Sequence, residues 1–134
     1  MPANVQPETA AAQREQWLAL LHELTDQVAA WAEAQRWSID RGTKEIDETT
    51  LGIYTAPTLR IRAPGGELHL DPVALAVRGA EGRVDLEAWP TLNRVRLIRR
   101  GGQWQVLTDS NVRLREPWGP ELFVRLAHEL QGRS

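Results

Sequence analysis

Thr58-Leu-Arg-Ile-Arg-Ala63, Pro64-Gly65-Gly66 and Glu67-Leu-His-Leu-Asp71 make up the stretch that decides the fold. Apolar and charged residues alternate strictly on both sides of a Pro/Gly break, which is the pattern of two antiparallel strands with one face buried and the other in water. With Gly65-Gly66 at the tip of a hairpin, Ala63 faces Leu68, Ile61 faces Leu70, Arg62 faces His69 and Arg60 faces Asp71. The apolar set and the charged set then lie on opposite sides.

The same alternation continues to Thr108, and six short segments from Leu59 onward read as three successive hairpins. In the second, Val73, Leu75 and Val77 meet Val84, Leu86 and Ala88 across Gly79-Ala-Glu-Gly82, and Asp85 and Glu87 point outward. In the third, Gly101-Gly102 sets Leu97 opposite Val106 and Arg99 opposite Trp104. A guanidinium over an exposed indole contributes about 0.5 to 1 kcal/mol.

Upstream, residues 1–7 read as a loose lead-in and a helix runs from about Glu8 to Arg36. Trp17, Leu21, Leu24, Val28 and Trp31 line one face of it at 4-3-4-3 spacing. Leu18 and Leu20 widen the stripe, which suits a helix lying on a sheet, and the seam is too short for a convincing coiled-coil homodimer. Trp37, Ile39 and Arg41 suggest a first strand ending in a turn at Gly42, with Lys44–Thr50 as an edge strand or a loop. Downstream, Val112–Leu114 suggests a further short strand. Pro120 opens a closing helix whose Leu122, Leu126 and Leu130 share a face with Phe123 beside them, and Gly132 stops it.

A long N-terminal helix, an antiparallel meander of six or seven strands and a short C-terminal helix make an α+β fold with both helices on one sheet face. The 134 residues form a single domain large enough to bury a core without staples. No cysteine is present, which excludes disulfides, thiolate metal sites and a Cys nucleophile. No basic start is followed by an apolar run, and no segment reaches the ~18 apolar residues of a membrane span, so a cytoplasmic chain with no membrane partner is expected. Net charge is −2, yet residues 1–50 carry four cations against nine acids, and residues 91–115 carry six arginines against Asp109 alone. Opposite lobes of this kind commonly complement one another within a fold or between copies.

Entry points for chemistry are sparse. His22, His69 and His128 sit in no HExxH spacing, and a metal site would need distant elements to converge. Asp85-Leu-Glu87 puts two carboxylates on one strand face, as a metal-dependent hydrolase requires, but the one lysine, Lys44, falls in the segment that is hardest to place. Ser38, Ser110 and Ser134 lie in no nucleophile elbow, and the glycines form no phosphate-binding loop. These features point to a non-enzyme with no metal or cofactor.

The expected function is that of an interaction protein, adaptor-, chaperone- or immunity/inhibitor-like, binding another protein or a second copy of itself. The candidate surface comprises Arg60, Arg62, His69, Asp71, Arg94, Arg96 and Arg99 with Trp89, Trp104 and Trp118, because partly exposed Trp and Arg are what interface hot spots are made of. Two alternatives remain. One is nucleic-acid binding through the Arg-rich 94–115 region with Trp104 as a stacking platform, weakened by alternation that puts Arg99 on the other face from Arg94 and Arg96. The other is a small apolar-ligand carrier with a cavity under the long helix.

Overall fold

The structure, a computed structural model, describes residues 7–132. Helix α1 (Pro7–Ala34) is followed by strands β1 (Ser38–Glu48), β2 (Gly52–Ala63), β3 (Gly66–Ala74), β4 (Arg83–Trp89), β5 (Arg94–Arg100) and β6 (Gln103–Thr108), then helix α2 (Pro120–Leu130). The six strands form one sheet in sequence order, each antiparallel to the next. This is the α+β meander read from the sequence, with both helices against the sheet. Of the expected lead-in at 1–7, residues 1–6 lie outside the described residues, and Pro7 already belongs to α1.

Trp17, Leu21, Leu24 and Val28 of α1 are all but completely buried, with Ala29 and Ala32 beside them, and Trp31 is half-buried. Apolar cross-strand rows form the other side of the core: Leu59, Leu70, Leu86 and Val95 in one, Pro72, Val84, Leu97 and Val106 in the next. The stripe of α1 therefore packs on the sheet. α1 ends in a Schellman turn: Trp37 N–H donates to Ala32 C=O at 3.0 Å and Arg36 N–H to Glu33 C=O at 2.9 Å. Arg36 takes the left-handed position there, φ 64°, where a glycine is the usual signal.

Four local expectations change. Gly42 is not a turn, because β1 runs straight through it and pairs it with Thr58, and the polar segment Lys44–Glu48 completes this edge strand. The first hairpin turns on Pro64-Gly65, pairing Ala63 with Gly66, Arg62 with Glu67, Ile61 with Leu68 and Arg60 with His69. Proline presets the first central residue of the turn and Gly65, φ 96°, takes the second, as in a type II turn. This register differs by two residues from the expected one, so every side chain keeps its face. Val73, Leu75 and Val77 form no separate strand. β3 continues through Pro72 to a bulge between Pro72 and Ala74, Leu68, Leu70 and Pro72 face the core, and residues 75–82 form the connection. Val112–Leu114 makes a single bridge along β6, with Thr108 N–H on Val112 C=O and Leu114 N–H on Val106 C=O, both 2.9 Å. The third hairpin and α2 lie as expected, with Arg99 opposite Trp104 and Pro120 opening the helix.

Candidate functional site on the outer face of the sheet

Alternation along five strands places charged side chains on the face turned away from the helices. Because paired residues of antiparallel strands share a face, they line up in rows across the sheet. The central row is Asp40, Arg60, His69, Glu87 and Arg94. On one side of it lie Ser38, Arg62, Glu67 and Trp89, and on the other Asp71, Asp85, Arg96 and Leu107. Gly42 and Thr58 provide a low floor, since a Cβ on Gly42 would come within 2.9 Å of Thr58 Oγ1. The result is an open groove of about 500 Å³ walled by Lys44, Arg60, His69, Asp71, Glu87 and Arg94.

Most of these charges satisfy each other. Arg60 Nη2 donates to Asp40 at 2.8 Å, Lys44 Nζ to Asp71 at 2.9 Å, and Arg94 lies 3.7 Å from Asp85 and 3.5 Å from Asp109. Asp85 is almost fully buried and receives a bidentate pair from Arg83 at 2.8 and 3.0 Å, which holds the Arg83 guanidinium above its ordinary pKa. His69 Nε2 is 3.1 Å from Glu67 Oε1, and this bond, more than the neighbouring Arg60 and Arg62, holds the Glu67 carboxyl below its ordinary value. The other side of the imidazole stacks on Trp89 with centroids 5.5 Å apart. Among the described residues, Glu87 and Arg62 have neither a hydrogen bond nor an ion pair through their side chains.

Seven of the ten residues singled out from the sequence come together here: Arg60, Arg62, His69, Asp71, Trp89, Arg94 and Arg96. Three do not. Arg99 sits on the opposite face, 5.2 Å over the ring of Trp104, and Trp104 packs on buried Trp17 at 6.2 Å. Trp118 belongs to the helix layer, 5.5 Å from Trp31 and 6.2 Å from Phe123. Arg96 is tied to the 108–111 turn through Thr108 C=O at 3.2 Å and through Asn111 Oδ1. The Arg-rich region thus divides between two faces and does not form one cationic platform.

The sequence reading missed Lys44, which only the unbroken β1 carries into the groove, and Leu92. The latter stands 52% exposed beside 43% exposed Trp89, at φ 66°, a conformation costly for leucine. Its turn is fastened to α2, with Thr91 Oγ1 and Asn93 Nδ2 donating to Leu130 C=O at 2.6 and 3.0 Å. Leu92 is held inside that turn by its own N–H on Ala88 C=O at 2.9 Å and by Ala88 N–H on Asn93 C=O at 2.8 Å, and no local sequence signal marks it.

Among the described residues no cluster of three or more His, Asp or Glu side chains is placed to hold a metal ion, and no helix is long and apolar enough to cross a membrane. No family model, curated protein or solved structure matches the chain.

Proposed function

We propose that the chain is a non-catalytic interaction module that docks a protein through the outer face of its sheet. The observation that carries this reading is the juxtaposition of an exposed aromatic anchor, Trp89 stacked on His69, with half-exposed charges of both signs, two of which, Glu87 and Arg62, lack partners. Interfaces concentrate their energy in such Trp and Arg anchors, while surrounding charge pairs set orientation and partner choice. A mixed-sign face suits a protein better than a phosphate backbone, which rewards uniform positive charge.

Site-specific photo-cross-linking in cells of the native host tests the proposal. A benzophenone amino acid at position 58 or 60 is expected to give discrete protein adducts, while the same group at Glu15 or Glu23, on the exposed side of α1, gives none. Adducts from α1 alone, or from neither place, would remove the support for an outer-face docking surface.

A further inference from the structure

The signs along the central row limit what can lie against it. Asp40, Arg60, His69, Glu87 and Arg94 read minus, plus, imidazole, minus, plus. Reversed about a two-fold axis running along β3, this row is its own complement. Arg60 then faces Glu87 of the second copy, Asp40 faces Arg94, and His69 faces His69, with the first two contacts each made twice because a two-fold interface uses the same patch on both sides. In the neighbouring row the same axis sets Arg62 over the indole of Trp89. Among the described residues, Glu87 and Arg62 are the charged groups of these two rows left without partners, and Trp89 is the exposed aromatic beside them, so all three are satisfied by one operation.

The register is specific. Moving the axis half a strand spacing to either side sets Arg60 against Arg94, or Asp40 against Glu87, and both bring like charges together. Residues of β3 meet their own copies on the axis, but Asp71 arrives held by Lys44 at 2.9 Å and Glu67 arrives beside His69 at 3.1 Å. From this self-complementarity we infer that the partner of the outer face is a second copy of this chain, in a symmetric dimer packed sheet to sheet about a two-fold along β3. The inference rests on the docking reading above and names its occupant. A row of five strands spaced ~4.8 Å apart spans about 19 Å, which gives an interface at the small end of specific contacts. Because charges make most of it, the dimer is weak and salt-sensitive.

Sedimentation velocity over about 10 to 500 µM protein, a range suited to a micromolar dissociation constant, tests this directly. A concentration-dependent dimer is expected, weakened at least several-fold between about 50 and 500 mM salt. Arg60→Glu and Glu87→Arg each abolish it, and the double variant restores it, since the swapped charges recreate the contact on both sides of the axis. Circular dichroism checks that each variant is folded. A monomer throughout the range, a dimer indifferent to both single changes, or folded singles whose combination fails to recover the dimer overturns the inference. If the protein is monomeric while position 60 still cross-links to a different protein, the second copy is wrong and the docking face stands. A dimer whose cross-links run through α1 removes both.

Discussion

Asp40 lies near the start of β1 and Glu48 at its end, and their surroundings differ completely. Asp40 lies in water with 68% of its side chain exposed, paired to Arg60 at 2.8 Å. Glu48 is 8% exposed where the hairpin tip meets α1 and the 75–76 segment, and it accepts hydrogen bonds from Leu75 N–H and Ala76 N–H, both at 3.0 Å, and from the Tyr54 hydroxyl. Tyr54 in turn accepts from Trp17 Nε1 at 3.2 Å. The carboxylate in water can exchange one cation for another at little cost, which suits recognition. The buried one fixes a loop, a strand and a helix in one geometry, through a buried bond to Tyr54 and part-buried bonds to Leu75 and Ala76.

Removing Glu48 is the severest test of that contrast. Glu48→Ala strands two backbone N–H groups and a hydroxyl, each worth roughly 1 to 3 kcal/mol when left unmet, so a loss of about 3 to 4 kcal/mol is expected in urea unfolding. Glu48→Gln, which keeps one acceptor oxygen, should recover part of it. A loss below about 1 kcal/mol for the alanine variant would mean that the 75–76 segment is held by other means.

Asp85 sharpens the comparison, because it lies on the outer face of the sheet and is nonetheless only 7% exposed. If burial rather than face sets the cost, Asp85→Ala should lose about 2 kcal/mol by leaving the Arg83 guanidinium without its bidentate partner. Equal effects for Asp85→Ala and Asp40→Ala would break the argument.

Tyr54 comes next. Burial first, then the hydrogen bond and charge of Glu48, push its hydroxyl pKa well above the ordinary value of 10. A raised folded pKa gives stability that is fully present below the unfolded value and is lost as pH rises beyond it, so unfolding should become easier above about pH 10. Tyr54→Phe should cost about 1 to 2 kcal/mol at neutral pH, since Glu48 loses a donor and Trp17 an acceptor, and should flatten the alkaline decline. An unchanged alkaline limb would assign that decline to other groups.

How much of this was legible depended on what each signal encodes. Gly101-Gly102 fixed the third hairpin correctly because both residues take positive φ, 57° and 75°, which a two-residue turn of the primed type demands. Pro64-Gly65-Gly66 offered two possible turns, and the choice moved the register by two while leaving the faces intact, so Arg60, Arg62, His69 and Asp71 were placed outward all the same. Gly42 misled because a strand glycine can serve space rather than a turn, here for Thr58. Pro72 concealed the continuity of β3, since its place beside a bulge is a property of the paired sheet and not of the local sequence. Glu48 gave no sign of burial. Its partners come from residues 75–76 and, through Tyr54, from Trp17, and alternation along one strand cannot report what folds over it.

The smallest expected effect lies at Arg60 and Asp40, and its smallness is the point. Both side chains are at least half exposed, so their ion pair gains little Coulomb energy in water and gives up side-chain freedom. A double-mutant cycle on Arg60→Ala and Asp40→Ala should give a coupling of a few tenths of a kcal/mol in the monomer, reduced further by salt. A cycle on Arg60→Ala and Glu87→Ala read on self-association should give a larger value, because pairing across the two-fold sets Arg60 against Glu87 in a partly desolvated contact. A stability coupling above about 1 kcal/mol between Arg60 and Asp40 would show that this pair holds the fold together. The division between a fixed hairpin tip and an adaptable outer face would then fail at the residues where it is drawn most sharply.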